Sequence, residues 1–222
     1  MKCKFLLSVA LLATTLGTIA ACSGGDLEWT EDVKLPDGRI VTLSRSAELK
    51  GGSAAFSNRP SESKQRFEFK HPETGKPVVW SNTKPQGRLT TLALGMDNGK
   101  PWLLATPSYG DDFFVYKCPD PPYLLFEYSD GAWGSKPLAE IPVKRIRANM
   151  TTGIVDASKY IESGKTKLSA DQTGDSYTYY EGVHRIPYVI DFEGMPLQTF
   201  LDGNCRLDPS RVTWLLVVEG KK

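Results

Sequence analysis

The sequence predicts a mainly β protein, an antiparallel β-sandwich or barrel with one short helix, and three observations carry this prediction. Short runs rich in Val, Ile, Phe, Tyr, Trp and Leu recur along the chain between Gly-containing turns, as is typical of strands and hairpins. Some runs alternate apolar and polar residues, and others are apolar throughout, so half-buried strands lie beside fully buried ones. Only one segment has a helical pattern. Two packed sheets or a closed barrel would satisfy all three observations.

The first element is an N-terminal targeting segment. A short basic start precedes an apolar stretch from Phe5 to Ala21, and this order is typical of a secretory signal. A transmembrane anchor is the alternative, because the stretch approaches the length that spans a bilayer. The segment ends in Ile19-Ala20-Ala21-Cys22, which is an aliphatic residue, two small residues and a cysteine.

This tetrapeptide resembles the lipobox of bacterial lipoproteins. The resemblance implies diacylglycerol on the Cys22 thiol, cleavage before Cys22 and acylation (typically with palmitate) of the new amine. Lipoproteins retained in the inner membrane usually carry Asp at the next position, where this chain has Ser23. The resemblance therefore implies a lipid anchor on the periplasmic face of the outer membrane. We divide the chain into a signal peptide at 1–21, a lipidated tether at 22–26 and a single β-rich domain at 27–222.

Five hairpins are predicted in the mature chain, each around a turn that contains Gly. Asp-Gly and Asn-Gly supply the positive φ that tight hairpin turns require. The turn glycines are unevenly spaced, which argues against a propeller or solenoid. The predicted strand pairs are Leu27–Leu35 with Arg39–Arg45, Arg66–Lys70 with Pro77–Trp80, Arg88–Leu94 with Pro101–Thr106, Tyr123–Tyr128 with Ala132–Pro137, and Tyr188–Phe192 with Met195–Phe200.

The apolar patterns predict how these strands are covered. Arg66–Lys70 alternates, which places Phe67 and Phe69 on one face. By contrast, Trp102–Ala105 and Val212–Val218 are apolar without interruption, so we expect both faces of these strands to be buried.

One short helix and one loop are predicted between the strands. Asp156 can cap a helix over Ala157–Ser163, and Gly164 can end it in a left-handed conformation. Tyr109-Gly110-Asp111-Asp112 has loop composition. Asn149–Lys167 is the only plausible internal break, but strand patterning continues beyond it, so we expect one domain.

The charge balance excludes several classes of protein. The 222 residues include 27 Lys and Arg and 26 Asp and Glu, a formal net charge of +1. Loss of Lys2 and Lys4 with the signal peptide leaves 25 − 26 = −1. This balance gives no reason to expect a nucleic-acid partner. The composition also excludes collagen-like, coiled-coil and multi-span membrane proteins.

The motif search predicts no catalytic residue, metal or cofactor. Gly164-Lys165-Thr166 imitates the end of a P-loop, but Lys159 stands where that motif needs Gly. The chain contains only two histidines. His71 opens a predicted hairpin turn and is expected to be solvated. His184 lies near the start of a predicted strand and is interpreted as structural or surface-exposed, and a catalytic role is the alternative.

Acidic residues cluster late in the chain. Their spacing does not match an EF-hand, and we interpret them as solvated acids of turns and strand edges. The alternative is glycoside hydrolysis by two carboxylates facing each other across a cleft. The acids concerned are Asp171, Asp175, Glu181, Asp191 and Glu193.

Tyrosines supply the candidate binding face. Tyr177 and Tyr179 lie on one side of an extended chain, and Tyr180 follows. Exposed tyrosines give a rigid contact surface with a polar group, suited to an envelope protein or glycan partner. Packing of these rings within the domain is the alternative, because Tyr is also a favoured strand residue.

The cysteines predict one disulfide. Cys3 leaves with the signal peptide and Cys22 is acylated, so Cys118 and Cys205 remain in an oxidising compartment. A buried, reduced pair is the alternative.

Three further segments carry a family resemblance. Leu94–Leu103, Cys118–Tyr123 and Gly131-Ala132-Trp133 resemble uncharacterised proteobacterial lipoproteins and phage-island proteins. This resemblance implies no activity. The sequence as a whole predicts a non-enzymatic binding or scaffolding lipoprotein of the cell envelope, or an immunity or inhibitor protein. A periplasmic glycan-acting hydrolase with paired carboxylates is the alternative.

Overall fold

The computed structural model describes residues 26–50, 61–83, 86–108, 110–151, 166–173, 179–180, 184–185 and 189–192. In these ranges the protein is mainly β, with two antiparallel-rich sheets arranged as a sandwich and not as a closed barrel. The predicted fold class is confirmed. The strands are β1 (Asp26–Lys34), β2 (Ile40–Lys50), β3 (Ser61–Lys70), β4 (Pro77–Thr83), β5 (Leu89–Asp97), β6 (Lys100–Pro107), β7 (Leu124–Ser129), β8 (Ala132–Lys136), β9 (Arg145–Arg147), β10 (Lys167–Leu168), β11 (Tyr179–Tyr180), β12 (His184–Arg185) and β13 (Val189–Asp191), and the helices are α1 (Gly110–Val115), α2 (Ala170–Thr173) and a 3-10 helix at Leu138–Glu140.

The first sheet has the strand order β10-β1-β2-β3-β4. Its two hairpins turn where the sequence predicts, because Gly38 and Gly75 take φ values of +89° and +66°. The pairing is antiparallel except at β10, which runs parallel to β1. Phe67 and Phe69 are buried, while Glu68 between them is only half-buried. The predicted alternation of β3 is thus confirmed.

The second sheet has the order β5-β6-β7-β8. As predicted, Trp102–Ala105 is buried along its whole length. Gly95 of β5 pairs with Trp102 of β6, and the indole ring lies over it so closely that a Cβ at position 95 would sit 2.1 Å from ring carbon Cζ2. Only glycine leaves room for this ring.

Two apolar clusters explain why the second sheet is buried on both faces. One cluster fills the space between the sheets, where Leu43 and Phe67 meet Leu94 and Leu103. Phe67 stacks on the Trp80 ring at a centroid distance of 5.3 Å. On the outer face of the second sheet, a second cluster contains Leu92, Trp102, Leu104, Leu125, Ile146 and Ile190.

The pair β9–β13 supplies part of that outer cover. We predicted that Tyr188–Phe192 pairs with Met195–Phe200. In the structure Val189, Ile190 and Asp191 of this segment pair with Arg145–Arg147, and Met195–Phe200 lies outside the described residues. The apolar side chains Ile146 and Ile190 face each other in this register and are both buried. Val212–Val218 also lies outside the described residues.

The loop predicted at Tyr109-Gly110-Asp111-Asp112 is wrong, because Gly110–Val115 forms α1. Burial of Phe113 against the body of the protein accounts for a helix of only six residues, since helices this short depend on tertiary contacts. The helix predicted after Asp156 lies outside the described residues.

The strand register defines two ends of the sandwich. Asp26, Glu48, Lys64 and Thr83 form one row across the first sheet, and we name this end the Asp26 end. The turns β1–β2, β3–β4 and β5–β6 lie at the opposite end, which we name the Ile40 end. Within the described residues, α1 follows β6 at the Asp26 end, because Leu89 pairs with Pro107 there.

Candidate functional site

The predicted binding tyrosines are only partly within the described residues. Tyr177 lies outside them, as does the lipidation site Cys22. Tyr179 and Tyr180 form β11, which pairs with β12 so that Tyr180 is opposite His184. The backbone thus brings the second histidine beside the tyrosine segment, a proximity that spacing in the sequence did not predict.

Cys118 follows α1 in a left-handed turn. Its φ is +52°, and its N–H donates to the Phe113 carbonyl over 2.7 Å. The residue is half-buried. Cys205 lies outside the described residues, so the pairing of Cys118 with Cys205 stays a prediction.

His71 is buried, so its predicted solvation is wrong. Its Nδ1 accepts N–H donors from Glu73 and Thr74 at 3.2 and 3.4 Å. The hydrogen must therefore sit on Nε2, which donates to the Gly99 carbonyl over 2.9 Å. His71 ties the β3–β4 turn to the β5–β6 turn, and this bond joins the two sheets at the Ile40 end.

The acidic cluster is divided in the structure. Asp171 is exposed on α2 beside β1. Asp191 lies on β13, opposite Arg145 of β9 in the strand register. A hydrogen bond from the Ser169 hydroxyl lowers the pKa of Asp171. Asp175, Glu181 and Glu193 lie outside the described residues. Among the residues that are described, no group of three or more His, Cys, Asp or Glu side chains is placed to hold a metal ion.

Two aromatic residues from the middle of the chain, Tyr123 and Trp133, take part in packing within the domain. Tyr123 is 4% exposed, and its ring meets Phe192 edge-on at a centroid distance of 5.9 Å. Burial raises the pKa of Tyr123 far above its usual range. Trp133 of β8 donates its indole N–H to the Val79 carbonyl of β4 over 2.9 Å, which joins the two sheets along one side.

A buried ion pair, which sequence reasoning missed, lies on the other side of the sandwich. Arg45 Nη1 lies 2.9 Å from Glu31 Oε1, and the two side chains are 5% and 0% exposed. The second carboxylate oxygen accepts the indole N–H of Trp29 over 3.1 Å. The Arg45 guanidinium also lies 4.9 Å from the centroid of that ring. Both charged groups are thus fully engaged within the protein.

The same arginine connects the two sheets. Its Nη2 donates to the Thr91 hydroxyl of β5 over 3.1 Å, and its Nη1 donates to the Thr151 carbonyl over 2.8 Å. The Thr151 hydroxyl is buried and has no hydrogen-bond partner. A signal in the sequence could have found this site. Trp29, Glu31 and Val33 alternate on one face of β1, so a carboxylate falls where the pattern requires an inward side chain.

A second polar cluster holds α1 against the start of β5. Asp112 accepts the Arg88 backbone N–H at 2.9 Å and lies 3.2 Å from Arg88 Nε, with both side chains largely buried. The Tyr116 hydroxyl donates to the Gly87 carbonyl over 3.0 Å and accepts from Asn82 Nδ2 of β4 over 3.1 Å. Burial raises the pKa of Tyr116, and the Asn82 hydrogen bond opposes this shift.

Few large apolar side chains are exposed in the described part of the chain. Phe114 and Val115 are adjacent on α1 and are 59% and 52% exposed. The other two are Ile40 at the opposite end and Val79 on the edge strand β4. Phe114 and Val115 therefore form a small apolar patch, which we name the α1 patch, at the Asp26 end.

Comparisons with protein-family models, with curated proteins and with solved structures found no match. Among the described residues, no helix is both long and apolar enough to cross a membrane.

Proposed function

We propose that the protein is a non-enzymatic binding module of the bacterial envelope, anchored through Cys22 to the periplasmic face of the outer membrane. The observation that carries the proposal is the position of the lipobox resemblance. Cys22 ends the segment Ile19-Ala20-Ala21-Cys22 and stands four positions before Asp26, where β1 begins. A lipid at Cys22 would hold the sandwich directly against the bilayer surface. An immunity or inhibitor protein that blocks a toxin or wall hydrolase entering the periplasm is the more specific form of this proposal.

The buried carboxylates of the sandwich favour a non-enzymatic role over the paired-carboxylate hydrolase. Glu31 forms an ion pair with Arg45, which joins the two sheets. Asp112 forms an ion pair with Arg88, which holds α1 against the start of β5. These buried carboxylates are thus engaged by basic side chains within the fold. The binding face that the sequence predicts is the tyrosine segment Tyr177–Tyr180.

Replacement of Cys22 tests the anchor. Cys22→Ser should leave an unprocessed precursor that incorporates no labelled fatty acid, because the acylated thiol is missing. Cys118→Ser is the matched control, and it should still incorporate the label. Density separation should place the wild-type protein in the outer membrane. Mature protein with an N-terminus at another residue would refute lipidation, while recovery in the inner membrane would refute only the assignment to the outer membrane.

A capture experiment tests the binding face. Lipidated wild-type protein is immobilised and incubated with envelope extracts. It should capture a partner that the double variant Tyr177→Ala, Tyr179→Ala does not capture. Removal of central contact residues typically costs about 2 kcal/mol or more of binding free energy. The variant Tyr177→Phe, Tyr179→Phe keeps both rings and should retain most binding. Equal recovery with all three proteins would refute the tyrosine face. Complete loss of function on His184→Ala, with the fold preserved, would instead favour an enzyme.

A further inference from the structure

We propose that the α1 patch, Phe114 and Val115, is a second membrane contact that inserts among the headgroups of the bilayer carrying the Cys22 lipid. The inference rests on the proposed lipid anchor and adds an orientation to it. The Asp26 end would face the membrane, and the turns of the Ile40 end would face the periplasm.

The position of the patch carries the first step. Asp26 and Thr83 belong to one row of residues across the first sheet, at the ends of β1 and β4. The residue next to Thr83, Asn82, donates to the Tyr116 hydroxyl, so the C-terminal end of α1 lies beside this row. The patch and the point where the tether enters β1 are therefore on the same end of the sandwich.

The length of the tether carries the second step. Three residues, at positions 23–25, separate Cys22 from Asp26, and the four steps from one residue to the next span at most about 14 Å when extended. Adjacent strands are about 4.8 Å apart, so the three steps from β1 to β4 also cover about 14 Å. The anchored strand end is therefore held about as close to the lipid as β1 is to β4. A domain restrained in this way has α1 within reach of the bilayer surface.

The attachment of α1 carries the third step. Asp112 and Tyr116, which flank the patch, are bonded to Arg88 and to Gly87 respectively. The patch is thus fixed to the sheet, with Phe113 buried beneath it and Phe114 and Val115 exposed. Aromatic and aliphatic side chains such as Phe and Leu are the groups that interfacial helices insert at a membrane surface.

The size and charge of the patch favour lipid over a protein partner. Two side chains offer far less than the roughly 800 Å² that each partner buries in a stable protein interface. A lipid surface already tethered to the chain needs no such area, because the anchor supplies the affinity and the patch only orients the domain. Exposed Asp111 and Lys117 on either side carry opposite charges. The contact is therefore apolar and should be insensitive to salt.

Photo-crosslinking tests the contact in the intact protein. The photoreactive analogue p-benzoylphenylalanine replaces Phe114 in full-length, acylated protein, which is reconstituted into phosphatidylethanolamine–phosphatidylglycerol vesicles with radiolabelled acyl chains. Ile40, which is 60% exposed at the opposite end, provides the matched control position, and Val115 provides a second test position. We expect severalfold more lipid adduct from positions 114 and 115 than from position 40, at low and at high salt alike.

The possible results separate this contact from the anchor. If acylated protein gives equal lipid adduct from positions 114, 115 and 40, the contact is refuted and the anchor stands. If position 114 crosslinks to a second copy of the chain in place of lipid, the patch is a protein interface and the proposal is overturned. If mass spectrometry of the purified protein finds no acyl chain at Cys22, the anchor and the contact both fall.

Discussion

At the scale of single residues, the least predictable feature is the ion pair between Glu31 and Arg45. Taking two charges out of water costs several kcal/mol per ion, and their attraction repays this only when further hydrogen bonds complete the site. Trp29, Thr91 and the Thr151 carbonyl supply those bonds here. The pair therefore depends on both sheets being in place, and it restricts how they can pack.

Removal of one partner should be costly. Arg45→Met leaves the Glu31 carboxylate buried without its cation, so we expect a loss of about 3–5 kcal/mol in the free energy of unfolding. Arg66→Met is the matched control, because the ion pair of Arg66 with Glu68 is 40% exposed on both sides and should contribute less than about 1 kcal/mol. Urea denaturation measures both. The double variant Glu31→Leu, Arg45→Met should recover much of the loss, and similar losses for Arg45→Met and Arg66→Met would contradict this account.

A glycine pair provides a second prediction at this scale. Gly95→Ala would place a methyl group 2.1 Å from the Trp102 ring, and we expect a loss of about 1–3 kcal/mol from overpacking. Gly134→Ala in β8 is the matched control, since nothing lies within 4 Å of the added carbon. Its stability should change by less than about 0.5 kcal/mol. Thermal unfolding of the two variants compares them directly, and equal midpoints would show that Trp102 moves aside freely.

At the scale of elements, the four hairpins within the described residues were predictable and helix α1 was not. The turns around Gly38, Gly75, Gly99 and Gly131 all form where Asp-Gly, Asn-Gly or Thr-Gly punctuates the sequence, because positive φ is a property of the local residues. Helix α1 has no such local signal. It forms because Phe113 packs inward while Asp112 binds Arg88. The burial of His71 was missed for the same reason, since its partner Gly99 lies in another hairpin.

Asp32 of β1, which contacts Thr42 of β2 and Lys167 of β10, leads to a prediction about pH. The Thr42 hydroxyl, 2.6 Å from Asp32 Oδ1, is the main cause of the lowered pKa of Asp32, and Lys167 Nζ adds to it from 3.0 Å. A carboxylate whose pKa is lowered by folding stabilises the fold above its unfolded value near 3.8, and this contribution is lost as the pH falls through the folded value. Asp32→Asn should therefore be less stable than wild type at pH 7, by up to about 1 kcal/mol.

The difference should be smaller at pH 3, which lies below the unfolded value of 3.8, because the unfolded state then takes up a proton that the lowered pKa of folded Asp32 resists. Urea midpoints of wild type and Asp32→Asn at the two pH values give the comparison. Glu28→Gln on the same strand is the control, because Glu28 is exposed. If the urea midpoints of wild type and Asp32→Asn differ by the same amount at both pH values, the assigned role of Asp32 is contradicted.

At the scale of the whole molecule, the predicted disulfide would join the turn after α1 to the late part of the chain. The cysteines Cys118 and Cys205 are 205 − 118 = 87 residues apart, and a loop of this length stabilises by about 4–5 kcal/mol in the chain-entropy model. Purified mature protein should show no free thiol under denaturing, non-reducing conditions. Reductant should lower its unfolding midpoint and leave that of the Cys118→Ala, Cys205→Ala variant unchanged. Two free thiols in the oxidised protein would refute the bridge.

The parallel strand β10 also has a consequence for the order in which the chain assembles. Hairpins β1–β2, β3–β4 and β5–β6 join neighbours in the chain, but Thr30 and its partner Thr166 are 136 residues apart. Contacts at such separation form late, because the loop entropy must be overcome first. During synthesis the edge of β1 that β10 later joins therefore has its backbone N–H and C=O groups unpaired while most of the domain is being made. An open edge of this kind is a template for pairing with other chains. The new chain is therefore most exposed to aggregation between the synthesis of residue 34 and that of residue 168.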